Sequence, residues 1–423
     1  MHSPIRRGVP TAVLTLALLP LLIACGGEGS SSSAAPAFTR TDSAGVTLAV
    51  TTYAEPVPEV GWTIDDASQI RYGESGGDEV LFQWIRNATR LPDGRVVALD
   101  GRSSELYVFS ATGELKATAG GEGDGPSELK RPSGVQVIGG DTIVVFDTSH
   151  RRLSLFDTNG GFLDEERLEA AGSGEDAPRL VVYGMIDAVG DTVTLRSDGY
   201  YMSSSTSMDE DYVFESPTLR YATDGTLVDE VAEPMGVRFY KTPDGPRTRL
   251  FENMRRIEGR DGLVYIGDWD RYEVRVYQPP QGLIRIERLE RPRRPVTDEL
   301  MEQFRAAVVE QIDDPERRRR ILEEFLDKSP VADSMSWVGS LIPDALGNVW
   351  VTEFGLPGSD SAAVGVFSAE GEWLGHVRGL PGFRPLEIGA DYILGVFTDE
   401  LDVPHLVSYD LVREPPAMET AAD

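Results

Sequence analysis

Five carboxylates stand at the same place in a repeating pattern: Asp100, Asp147, Asp268, Glu353 and Asp399 each close a short apolar run. The runs read RVVALD, TIVVFD, LVYIGD, VWVTE and YILGVFTD. A ring of such oxygens could ligate Ca²⁺ or another hard cation. An aspartate at a strand end also winds the turn that follows by accepting backbone N–H bonds, and recurrence in nearly every copy favours that plainer role. Nucleophilic chemistry finds little footing. There is no G-x-S-x-G elbow, and His150, His376 and His405 show neither H-E-x-x-H nor a paired ligand spacing. Asp157-Thr158-Asn159 begins like a Ca²⁺ loop but lacks glycine at the sixth place. The single cysteine, Cys25, removes disulfides, thiolate catalysis and Cys-ligated zinc together. No catalytic residue is assigned.

Two turn signals define the elements that must position these groups. The first is a Gly or polar pair between apolar runs: Asp93-Gly94, Gly140-Asp141, Gly190-Asp191, Asp261-Gly262, Gly347-Asn348 and Ala390-Asp391. Glycine tolerates the positive φ that tight hairpins need. The second is an aromatic followed four positions later by Gly: Phe109/Gly113, Phe156/Gly160, Tyr221/Gly225 and Phe367/Gly371, with Tyr277/Gly282 one residue longer. The runs between are β-branched and aromatic, as strands require. About six copies recur at roughly 40–50-residue spacing. A lone sheet of this kind cannot bury both faces, so neighbours stack and radial closure protects the edges. The expected fold is all-β: a six-bladed β-propeller over residues 41–414, with a small helical insertion (291–330) between blades four and five.

The segment GEGDGPSELKRPSGVQV followed by DTIVVFDTSHRRLSLFDTNGGFL resembles the bacterial six-bladed β-propellers related to NHL-repeat and TolB-like proteins, many of them lipoproteins. The resemblance is close over residues 85–165 and looser elsewhere. It implies a six-bladed ring and a binding role; that family carries no single reaction, so no catalytic residue transfers. Among enzymes, a gluconolactonase-like propeller with metal in its central channel is the alternative, a metal-assisted hydrolase or lyase. Such a site needs acidic and amide oxygens converging from inner strands, and no Asn set is evident. The glycine cluster Gly120–Gly125 lacks the following helix that a phosphate loop requires and reads as a crossover between blades.

The N-terminus reads as an address. Arg6 and Arg7 precede an apolar run from Val13 to Leu22, and Leu22-Ile23-Ala24-Cys25 resembles a lipobox. Residues 1–24 are then a lipoprotein signal peptide, Cys25 the lipidated residue and 25–40 a flexible tether. The protein is expected in a bacterial cell envelope, on the periplasmic or outer-membrane face, reaching the membrane through its lipid alone. A net charge of −30 argues against nucleic acid, whose binding is driven by Lys and Arg. The body is read as a monomer, and 415–423 as a disordered tail.

Strand direction places the long connections together. In an up-and-down blade, the loops from second to third strand and from blade to blade leave the same end, opposite both tight turns. The Gly121 loop with Glu122 and Asp124, Ser197–Pro217 with Tyr200 and Tyr201, Glu233–Asn253, the helices with Arg293 and Arg294, and Gly355–Ser361 all fall there. That face is the expected binding face for a protein or small molecule. In the insertion, Leu300, Phe304, Val308 and Ile312 form one apolar face, Asp314-Pro315 caps a second helix, and Ile321, Leu322, Phe325 and Leu326 point inward. Arg317–Arg320 read as a solvated helix face. The last blade offers only three local strands, so Val46–Thr52 or Trp62–Ile70 is expected to supply its fourth.

Overall fold

A computed structural model describes residues 37–413, less 53–55, 75–78, 171–180, 199–210, 215–216, 232–236, 253–255, 269, 311, 357–362 and 380–381. The signal, Cys25, most of the tether, Tyr200, Tyr201 and the tail lie outside the described residues.

Each repeat folds as a four-stranded antiparallel sheet. Blade one comprises Ile85–Arg90, Val96–Asp100, Glu105–Phe109 and Leu115–Gly120; blade two Pro132–Ile138, Thr142–Asp147, Arg152–Asp157 and Phe162–Arg167. Blade three comprises Val181–Val189, Thr192–Asp198, Thr218–Ala222 and Leu227–Glu230; blade four Arg256–Arg260, Leu263–Gly267, Glu273–Gln278 and Gly282–Glu290. Blade five comprises Val338–Pro343, Val349–Glu353, Val364–Phe367 and Trp373–Val377. Blade six contributes Phe383–Ile388, Tyr392–Thr398 and Pro404–Arg413, and Trp62–Tyr72 pairs antiparallel with the last of these. First strands meet in the cycle one to six and back to one, so the ring closes.

Of the two candidate closing strands, Trp62–Tyr72 does the work. Val46–Thr52 instead lies parallel to Gly282–Glu290 on the outer edge of blade four, with Phe38–Ser43 beyond it. Blade four is thus a six-stranded sheet. Its outer edge is covered by the incoming chain, one of the ways an exposed strand edge is blunted.

Among the described residues, six buried cores, one between each pair of neighbouring blades, hold the ring. Alternation along a strand feeds two of them at once: Val96 and Ala98 of blade one pack toward blade six, while Val97 and Leu99 pack toward blade two. The aromatic of the second turn signal is core; Phe109, Phe156, Tyr221 and Phe367 are fully buried. Its glycine does two things. Gly113 has φ +91°, and a Cβ there would lie 2.3 Å from the Arg71 carbonyl oxygen of the closing strand. The turn can approach its neighbour only without a side chain.

A seventh core lies under the insertion. Its root is the pair Arg294–Pro295 and Ser334–Met335, and Leu300, Phe304, Val308, Ile321, Leu322 and Leu326 pack on Leu250, Phe251, Phe354 and Leu356. Asp314 caps the second helix, accepting from Arg317 N at 2.6 Å. Phe325 does not point inward; it is 46% exposed while Leu326 is 2% exposed. The helix widens into a π turn over Ile321–Leu326, with Asp327 N donating to Leu322 O. That turn shifts the apolar face by one residue.

Candidate functional site

The second-to-third-strand loops and the blade-to-blade connections emerge at one end of the ring. The recurrent carboxylates lie there, one in each of five blades, and the four aspartates accept backbone N–H bonds from the loop that follows them. Asp100 Oδ2 accepts from Gln83 N and Trp84 N, and its Oδ1 from Arg102 N and Ser103 N. Asp147 likewise takes Lys130 N, Ser149 N and His150 N. Asp268 accepts from Asp270 N, Arg271 N and Arg275; Asp399 from Leu401 N and Val403 N, with His405 on its other oxygen. Glu353 differs, pairing with Arg291 at 2.6 Å and His376 at 3.1 Å. Among the described residues, no three His, Cys, Asp or Glu side chains come together to hold a metal. The five therefore do not form a common Ca²⁺ donor set.

The other expected face residues are also placed. Glu122 is exposed and its backbone bridges to Leu129, folding the glycine loop back on itself. Asp124 meets Lys130 Nζ at 2.8 Å and His150 Nε2 at 2.9 Å, while His150 Nδ1 meets the buried Asp147 at 2.8 Å. Hydrogen bonds from His150 and Lys130 hold the Asp124 carboxyl down at about 2. This relay ties the crossover loop to blade two. Arg293 pairs with Asp270 at the surface. Arg294 is half-buried. It lies 4.2 Å over Trp337 and donates to the Ser336 and Phe354 carbonyls, anchoring the root of the insertion.

Inside the ring is a cavity of about 1100 Å³ lined by first strands of all six blades. Near the loop-rich end its wall carries Trp84, Arg86, Arg196, Glu258 and Arg384; toward the tight-turn end lie Arg90, Asp187, Arg260, Asp261, Glu387 and Tyr392. The tight-turn end is compensated internally. Glu387 accepts from Thr89 Oγ1 at 2.5 Å and from Tyr392, Arg90 stacks 4.5 Å over Tyr392, and Asp187 accepts from Gly262 N at 2.8 Å. Burial pushes the Asp187 carboxyl up to about 6.

Sequence reasoning missed these channel groups. One signal was legible: in Arg256-Ile257-Glu258-Gly259-Arg260, Ile257 is core and Glu258 and Arg260 face the cavity, the period-2 pattern of a strand with one wet side. Glu258 sits deep, and burial pushes its carboxyl up to about 7 although Arg196 and Arg256 pull the other way. A carboxyl whose folded pKa exceeds its unfolded one holds its proton more tightly in the native state. Its contribution to stability therefore falls as pH rises from about 4.5 to about 7. Glu258→Gln is expected to gain on the parent across that window in urea titrations. A difference that stays constant from about pH 5 to about pH 8 would show that the carboxyl is not so held.

Residues 76–173 match a family model, DUF5128, described as a 6-bladed beta-propeller. The match spans blades one and two. This chain is a six-bladed propeller. Residues 299–336, the helical insertion of the propeller, match the model of the sirohaem synthase dimerisation region. No curated protein matches the propeller. Among solved structures, a member of the DUF4221 family from Bacteroides vulgatus is 10% identical, with 84% of this chain and 98% of that one covered and a TM-score of 0.49. A Bacteroides fragilis protein is 13% identical, with 86% and 100% covered and a TM-score of 0.46. Virginiamycin B lyase from Staphylococcus aureus is 10% identical, with 83% and 99% covered and a TM-score of 0.40.

Proposed function

We propose that the protein is a lipid-anchored extracytoplasmic binding module that receives a small ligand at the loop-rich mouth of its channel. The observation that carries this reading is the meeting, at one end of a rigid ring, of the cavity and the long connections. Recognition groups on loops over a stiff scaffold, beside a concave cavity, are the usual anatomy of a binding site. The lipobox-like Leu22-Ile23-Ala24-Cys25 and the Gly/Ser/Ala-rich stretch after it support a tethered body. The alternative, metal-assisted lactone or ester cleavage, draws no support from the described carboxylates, which are engaged singly in separate blades.

A thermal-shift panel of sugars, organic acids, lactones and esters, each assayed for turnover with and without chelator, tests the proposal. Ligand-dependent stabilisation without turnover is the expected result. Chelator-sensitive cleavage of a lactone or ester would overturn it in favour of the enzyme.

A further inference from the structure

We propose that the loop-rich half of the channel is a site for a small organic anion bearing two or more negative charges, carboxylate or phosphate, held by Arg86, Arg196 and Arg384. The inference rests on the binding-module reading above and names its ligand class.

Charge placement is the first support. The chain carries a net −30, yet this part of the wall sets three arginines, Arg86, Arg196 and Arg384, against one carboxyl, Glu258, which lies in the field of Arg196 and Arg256. Arg86 and Arg384 stand near the start of the first strands of blades one and six, and Arg256 opens that of blade four. Arg131 immediately precedes the first strand of blade two; it and Arg256 are exposed and stand outside the cavity lining, adding only their charge to its field. Arginines gathered inside a channel do nothing for solubility, and their mutual repulsion costs stability unless something answers it.

Pairing is the second. Among the described residues no carboxylate forms a salt bridge with Arg86, Arg196 or Arg384, whereas Arg285, Arg288, Arg291 and Arg413 elsewhere in the ring all have one. Arg86 lies 4.7 Å over Trp84 and Arg196 4.9 Å over Tyr183, and Arg384 donates to the Ile85 carbonyl at 3.2 Å. Arg196 Nε is buried with no hydrogen-bond partner. Burial lowers the pKa of Arg86, and the charges of Arg196 and Arg131 lower it further; burial and then Arg86 do the same to Arg384.

The third is that the chain makes room for this arrangement. Arg196 comes from a second strand and crosses its neighbouring first strand at Gly184, where a Cβ would lie 2.8 Å from Arg196 Nε. Trp84, half exposed on the same wall, adds a flat apolar face for the carbon skeleton of the ligand. Guanidinium forks match carboxylate and phosphate oxygens in pairs.

The test is calorimetric titration of the full chain with citrate, with pyrophosphate and with neutral glucose, at low and high salt. At least one anion is expected to bind one to one, more weakly at high salt. Arg86→Gln and Arg196→Gln should each lower that affinity about tenfold or more while the variant melts no lower than the parent. A variant that melts lower but binds as before would show that the arginines serve the ring and would overturn the proposal. Silence from both anions would overturn it too. Glucose binding that Trp84→Ala abolishes, with no anion bound, would overturn the ligand class and leave the binding-module reading standing.

Discussion

A chain lacking residues 38–74 is expected to lose its cooperative unfolding transition and to associate, whereas one lacking only 38–52 still melts as a unit, at lower temperature. The longer deletion removes Trp62–Tyr72, the outer strand of blade six, paired from Trp62↔Arg413 to Tyr72↔Leu406. Two interblade cores lose members with it: Trp62 and Ile64 between blades five and six, Tyr72 and Ile70 between six and one. The Tyr72 hydroxyl also leaves Ser408 Oγ, 2.9 Å away in the buried interior. Each large apolar side chain lost from such a core removes about 1.5–3 kcal/mol. The unpaired edge of Pro404–Arg413 becomes a template for other chains. The shorter deletion strips only the two strands added outside blade four and the Thr51 Oγ1 acceptor for Trp373 N at 2.9 Å, and the ring stays shut. Circular dichroism melts with size-exclusion chromatography distinguish the outcomes; similar melting of both deletions would show that Trp62–Tyr72 does not close the ring.

The two candidate closing strands show where sequence reading stops. Both Val46–Thr52 and Trp62–Tyr72 have strand composition, and pairing partner is decided by geometry across hundreds of residues. The blade pattern itself was legible because both turn signals are local: Asp93-Gly94 and Phe109/Gly113 announce their turns without reference to anything distant. The strand-end aspartates were legible for the same reason, and Asp100 and Asp147 wind their own turns. The arginines of the channel were not. Bulges in the first strands, between Ile85 and Asn87 in blade one and between Val182 and Gly184 in blade three, break the two-residue alternation on which facing is read. Arg196 belongs to a second strand and reaches the cavity only by passing over Gly184, a contact no window of neighbouring residues contains. Phe325 turns outward, while Leu326 stays inward, for a comparable reason, one widened helical turn.

Asp344→Ala is expected to destabilise the propeller by about 3–5 kcal/mol, the cost of stripping a buried acceptor from several donors and from a cation. Asp344 is 1% exposed at the tight turn of blade five. Its Oδ1 accepts from Leu346 N and Asn348 N, both at 2.9 Å. Its Oδ2 accepts from Asn348 Nδ2 at 2.8 Å, Trp350 Nε1 at 2.9 Å and Arg413 Nη1 at 2.7 Å. Arg413 belongs to the last strand of blade six, lies 4.4 Å over Trp62 of the closing strand, and donates to the carbonyls of Gly389 and Ala390. One carboxylate thus fastens a turn of blade five to the strand pair that completes blade six. Asp344→Asn keeps an acceptor for the turn but withdraws the charge facing Arg413, so it should cost less than the alanine variant and more than about 1 kcal/mol. Urea unfolding of both variants gives the comparison, and an alanine variant within about 1 kcal/mol of the parent would show that the ring does not rely on this fastening. Asp344 lies at the tight-turn end, away from Arg86, Arg196 and Arg384. Its removal should therefore lower the folded fraction without changing the anion affinity of the molecules that remain folded, which separates what closes the ring from what the ring holds.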